Sequence, residues 1–143
     1  MRKTFGDVSM EWMAEHPEAK NHARHQDEHK LQATCVRWFR YQYPQIRHAL
    51  FAVPNGGSRN KIEAGKLKGE GVLAGVADLI LLQNIGTYGA LCIEMKTPTG
   101  VQSKAQKEWQ MKITTDGYPY VIIRSLDQFI ETINLYLSGR LKI

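Results

Sequence analysis

The chain has 143 residues, 43% of them apolar and 23% charged, the size and balance of one folded domain that needs no disulfide or zinc staple. Its 19 Lys and Arg outnumber its 14 Asp and Glu, for a formal net charge of +5, which favours an anionic partner such as nucleic acid but does not identify one. Wholesale disorder is excluded, and so is a membrane span: the longest uncharged run, Leu79 to Ile93, is broken by Gln83, Asn84 and two glycines.

Residues 1–25 are polar and irregular, with Pro17 inside them and a short helical stretch at Glu11 to Glu15. They are expected to form an N-terminal arm or appendage to a domain spanning 26–143. Met1 to Lys20 has no apolar core of a secretory signal. Together with two cysteines, Cys35 and Cys92, that lack paired spacing, this leads us to expect reduced core thiols in an intracellular, cytoplasmic protein of bacterial or phage type.

A helix is predicted from Gln26 to Tyr43, where Leu31, Cys35, Trp38 and Phe39 recur at helical spacing. Asp27 and Glu28 sit in its first turn, where carboxylates suit the helix dipole, and Pro44 ends it. His48 to Val53 reads as a strand. Pro54-Asn55-Gly56-Gly57-Ser58 reads as a loop. Asn60 to Lys68 reads as a short helix closed by Gly69 or Gly71. Val76 to Leu82 and Ala90 to Lys96 are the clearest strands, joined as a hairpin through Gly86 and Gly89. A helix from Ser103 to Asp116 stops at Gly117. A last strand covers Tyr120 to Ile123 and a last helix Leu126 to Leu137.

The order is therefore α-β-α-β-β-α-β-α. The hairpin strands are apolar on both faces, with Leu79, Leu81, Leu91 and Ile93 on one and Ile80, Leu82, Ala90 and Cys92 on the other. Such strands need cover on both sides. The expected fold class is α/β, a central mixed sheet flanked by helices on both faces.

Two acidic residues, Asp78 and Glu94, interrupt these apolar strands. If the turn is centred on Gly86 they face each other, with Cβ atoms about 4.5–5.5 Å apart; a longer asymmetric turn would move one to the other face. Lys96 shares the face of Glu94. Two facing carboxylates in a partly buried place repel, so that one stays protonated unless a cation is bound. Oxygen ligands alone suit Mg²⁺ or Mn²⁺ better than zinc. The bland alternative is a solvated pair at strand ends with Lys96 as ion-pair partner.

Asp78 followed by Glu94-Met95-Lys96 resembles the D…ExK core of PD-(D/E)xK nucleases. The wider context is similar to the VRR-NUC family. It comprises Gly75-Val76-Ala77-Asp78-Leu79, Ser103 to Trp109, Glu28-His29-Lys30-Leu31-Gln32 and Pro54-Asn55-Gly56-Gly57. The resemblance spans roughly 26–125, nearly the whole domain. It implies a restriction-endonuclease-like core and hydrolysis of DNA phosphodiesters with Mg²⁺ or Mn²⁺. It also implies that Asp78, Glu94 and the Met95 carbonyl bind metal, with Glu28 a further acidic ligand, directly or through water, at the edge of the site. On the same basis Lys96 would position the attacking water, and Gln106 would reach in from the next helix. Small single-domain members resemble Holliday-junction resolvases that work as dimers, so branched DNA and a homodimer are expected partners. A non-catalytic DNA-binding or recombination-accessory module, and an RNA-cleaving relative, stay open.

The residues themselves leave several roles open. Glu28 shares a face with Leu31, Gln32 and Cys35, and as a simple first-turn charge would contribute about 0.3–1 kcal/mol. Ser103-Lys104-Ala105-Gln106 fits a capping box, which competes with an active-site role for the Gln106 amide. His22, His25 and His29 have helical spacing, with His16 nearby, but a closed zinc set is missing and a solvated face is expected. Ser58, Arg59, Lys61, Lys66 and Lys68, with Lys104 on the later helix, are candidate DNA contacts, or else a solubilising face. Trp38 and Trp109 are expected in the core.

Overall fold

The structure is a computed structural model that describes residues 24–54 and 61–143, with the side chains of 24–26 outside the description. In chain order the elements are α1 (Arg24–Gln42), a 3-10 helix (Pro44–Ala49), β1 (Leu50–Ala52), α2 (Lys61–Gly69), β2 (Leu79–Leu81), β3 (Leu91–Met95), α3 (Lys104–Thr115), β4 (Tyr120–Ile123) and α4 (Leu126–Leu137). Residues 1–23 of the expected arm, with its Glu11 to Glu15 helix, and the loop 55–58 lie outside the described residues, while Arg24 and His25 open α1.

The four strands form one sheet in the order β1-β2-β3-β4. β1 and β2 pair antiparallel, as do β2 and β3, while β3 and β4 run parallel. A parallel pair needs a long crossover, and α3 supplies it. The sheet is thus mixed, with helices on both faces, as the apolar patterning of the hairpin requires.

Two cores result. The larger lies between the sheet and α1 with α4, and centres on Cys35, Phe39, Leu79, Ile93, Phe129 and Ile133. The smaller lies under α3, where Ala77, Cys92 and Tyr120 meet Trp109 and Ile113. Trp38 packs edge-on against Phe129, with ring centroids 5.9 Å apart, so Trp38 and Trp109 each serve a core. Cys35 and Cys92 are buried free thiols, and burial pushes the Cys92 thiol up to about 11, which keeps it inert. Among the described residues no helix is long and apolar enough to cross a membrane.

The structure departs from expectation at β1 and β2. His48 and Ala49 belong to the 3-10 stretch that Pro44 opens rather than to a strand, and the stretch is kinked at Ile46, where φ is −119° and ψ 21°. Leu82 is 60% exposed, not covered. Helix α3 roofs the sheet only around Ile80, Cys92 and Ile122, so Leu82 and Phe51, on the same face nearer the β1 edge, stay in solvent. At the opposite edge the Gln128 amide accepts from the Arg124 N–H at 2.8 Å and donates to the Ile122 carbonyl at 3.1 Å, blocking addition of another strand to β4.

Helix α3 is fixed at both ends. Ser103 caps its start, and Gly117, at φ +98°, reverses the chain after its end. A second glycine presses the chain before β2 onto its first turn. Gly75 has φ +87°, and a Cβ there would lie 2.4 Å from the Ala105 carbonyl oxygen. Gly75→Ala is therefore expected to cost about 1–3 kcal/mol, from the strained backbone and the clash together. Urea unfolding should show a lowered midpoint at an unchanged m-value.

Candidate active site

The site forms where β2 begins and β3 ends. The β2–β3 register pairs Leu79 with Ile93 and Leu81 with Leu91. Continued by one residue, it sets Asp78 opposite Glu94, so the turn is symmetric about Gly86. Asp78 precedes β2, and its backbone stays in the ladder by accepting the Val53 N–H at 2.9 Å. Its side chain replaces the next rung: Oδ2 accepts the Met95 N–H at 2.8 Å.

Glu94 lies within β3 with 0% exposure. Alternation along the strand puts it on the α3 side with Cys92 and Lys96. Its Oε1 accepts from Gln106 Nε2 at 2.6 Å and stands 3.4 Å from Lys96 Nζ. Its Oε2 accepts from the Tyr120 hydroxyl at 3.3 Å, and the carboxyl of Asp78 lies close enough for each to bear on the ionisation of the other. Lys96 is 8% exposed.

Gln106 does not have to choose between its two expected roles. Its Oε1 accepts the Ser103 N–H at 2.8 Å, and its backbone N–H donates to Ser103 Oγ at 3.2 Å, so the capping box is complete. The other end of the same amide, Nε2, reaches Glu94. The anticipated competition is absent because the cap uses the carbonyl and the site uses the NH₂.

Glu28 stands at the rim. Half-buried at the start of α1, its Oε1 accepts the Thr97 N–H at 3.4 Å, and its charge reaches Asp78. Arg124 holds the loop that carries Thr97, donating from Nη1 to the carbonyls of Thr97 and Gly100, each at 2.7 Å. The backbone groups of Cys92 and Lys96 point to the β4 side, donating to Pro119 and Ile123 carbonyls. Those of Met95 therefore point to the other side, and its carbonyl lies on the edge where Asp78 stands.

Burial raises the Asp78 carboxyl above its ordinary range, against the lowering effects of the Met95 N–H and of Lys96. Burial, and then the charge of Asp78, pushes Glu94 up to about 7. The Tyr120 phenol is pushed upward, mainly by burial and then by Glu94.

Two adjoining carboxylates and a carbonyl form an oxygen-only donor set that suits a hard divalent cation. Among the described residues no three His, Cys, Asp or Glu side chains are gathered as a ready cluster. Glu28, engaged with Thr97, stands outside the pair as a neighbour.

The candidate DNA-contacting residues lie elsewhere. Lys61, Lys66 and Lys68 are exposed along α2. Lys104 begins α3, with its side chain 91% exposed and 3.8 Å from Glu108. Ser58 and Arg59 fall outside the described residues, as do His16, His22 and the His25 side chain, while His29 is exposed. The sequence reading missed Tyr120 and Gln102. Tyr120 read only as the start of an apolar strand, and its parallel pairing beside β3 emerges only in the structure.

A mixed four-stranded sheet with a buried D…ExK pocket under a capped helix defines an α/β nuclease-like fold. The VRR-NUC domain profile matches residues 13–127, and the chain belongs to the VRR-NUC family. The match begins inside the stretch read as an arm. A solved structure described as a VRR_NUC domain protein superposes with a TM-score of 0.68 at 28% identity, covering 78% of this chain and 88% of that one. No curated protein sequence matches significantly.

The raised carboxyl predicts a pH dependence with a definite sign. Folded protein holds a proton on Glu94 that unfolded protein releases above about pH 4.5, so metal-free stability falls as pH rises from there through about 7. Thermal melts in chelator should show that fall in wild type and a flatter profile in Glu94→Gln. Stabilisation by Mn²⁺ should grow over the same window, because a cation needs the ionised pair.

Proposed function

We propose that this protein is a Mg²⁺- or Mn²⁺-dependent deoxyribonuclease that hydrolyses phosphodiester bonds, directed to branched DNA. The observation that carries this reading is the half-buried Asp78 set beside the buried Glu94, whose Oε1 stands 3.4 Å from Lys96 Nζ. An arrangement that leaves a carboxyl pushed upward lowers stability and is hard to explain as scaffolding.

Asp78, Glu94 and the Met95 carbonyl would hold the cation, with Glu28 close enough to join through water. When bound, such a cation supplies a Lewis acid for phosphate oxygens and makes water a better nucleophile. Lys96 donates to the attacking water and to the charge that develops on phosphate. Gln106 holds Glu94 from the side of α3, so the base of the pocket is fixed before substrate arrives. Lys61, Lys66, Lys68 and Lys104 meet backbone phosphates, which aligns DNA without reading its sequence. A homodimer would present two such pockets to two strands, and light scattering reads that state directly.

Cleavage of a panel of branched and linear DNAs should require Mg²⁺ or Mn²⁺ and stop in chelator. Asp78→Asn and Lys96→Ala should each lower the rate by about 100-fold or more. An Asp78→Asn protein that cuts as fast as wild type overturns the assignment, and preferential cutting of RNA redirects it. Replacing Lys66 or Lys68 by Ala should weaken binding to all DNAs alike and reduce the salt slope by about one per residue.

A further inference from the structure

Tyr120 is the first residue of β4, with Cys92 as its strand partner. Its ring is 5% exposed and stands 6.1 Å from that of Trp109. A phenol buried this deeply costs stability unless its hydroxyl is bonded. Two contacts satisfy it: Gln102 Nε2 lies 3.2 Å away, and Glu94 Oε2 lies 3.3 Å away.

These contacts have one direction. An amide NH₂ only donates, so Gln102 occupies a lone pair of the hydroxyl and leaves its proton for Glu94. The same Gln102 nitrogen donates to Gln110 Oε1 at 2.8 Å, which holds the amide in that orientation. Gln106 and Lys96 approach the other carboxylate oxygen of Glu94. Tyr120 thus holds the one oxygen those two leave, and the plane of the carboxylate is fixed from both sides.

We propose that Tyr120, aimed by Gln102, is a positioning residue that fixes the Glu94 carboxylate for a divalent cation. This rests on the metal-dependent reading of the same pocket. A carboxylate already immobilised loses less freedom on binding, so its affinity for the cation is higher. Without the phenol, Oε2 is buried with one donor fewer, and the group can turn about the Gln106 and Lys96 contacts.

The test is calorimetric titration of Mn²⁺ into metal-free full-length protein, with urea melts run alongside. Tyr120→Phe keeps the ring against Trp109 and removes only the hydroxyl. It should weaken Mn²⁺ binding about 10-fold or more, lower kcat at limiting Mn²⁺, recover it at saturating Mn²⁺, and leave KM for DNA unchanged. Gln102→Leu should weaken Mn²⁺ binding in the same direction by less. The double variant should match Tyr120→Phe alone, since Gln102 acts through the hydroxyl. Wild-type Mn²⁺ affinity in Tyr120→Phe overturns the proposal, and so do losses that add in the double variant. Should Tyr120→Phe fail to fold, unchanged Mn²⁺ affinity in Gln102→Leu overturns it instead. A wild-type protein that neither binds Mn²⁺ nor cuts DNA overturns the nuclease reading and this one together, an outcome distinct from the others.

Discussion

Two neighbouring carboxyl groups, Glu94 buried and Asp78 half-buried, are the constraint on which the rest of the structure depends. Desolvating even one carboxylate costs several kcal/mol, and a like charge beside it adds to that. The sheet imposes the arrangement, since Asp78 and Glu94 occupy opposed positions on strands whose other residues build the cores. The chain moderates the cost without removing it. Lys96 brings one positive charge, the Met95 N–H satisfies Asp78, and Gln106 and Tyr120 satisfy Glu94. What remains is a pair that favours protonation in isolation and ionisation beside a cation.

The start of α3 joins the fold to the site. Ser103 and Gln106 cap the helix, Gly75 brings the chain before β2 within touching distance of Ala105, and Gln106 passes from the cap to Glu94. A shift of α3 by a fraction of an ångström would strain the Gly75 contact and draw Gln106 off the carboxylate. Helix stability and pocket geometry are therefore one property. That explains why a glutamine serves here: a glutamate could close the capping box equally well but would put a third negative charge against the pair.

The hairpin was legible because two apolar runs flank a turn with glycines; being apolar on both faces they left the register open, and only a turn centred on Gly86 sets Asp78 against Glu94. The last strand and last helix were legible from their apolar spacing, and the structure gives both with the expected bounds. Three features were not. The residues before Leu50 read as the start of a strand, and the structure instead gives them to a 3-10 stretch kinked at Ile46, which no local pattern marks. The exposure of Leu82 depends on how far α3 extends over the sheet, which no local pattern reports. Tyr120 stayed hidden because parallel register is set by the crossover through α3 rather than by a turn that can be counted.

The distribution of charge gives these parts a common sense on the proposed reading. The net charge is +5, yet the interior of the pocket is acidic and the exposed lysines of α2 lie on the outer surface. On that reading a polyanion is drawn to the exterior, and the acidic site offers it no positive charge beyond Lys96 until a cation is held there. Lys96 cannot balance the pair alone, because its one charge faces two carboxyl groups and is partly spent on Glu94 at 3.4 Å. On the proposed reading a bound cation would supply the positive charge that Lys96 alone does not, and the exposed lysines would concentrate DNA around the site.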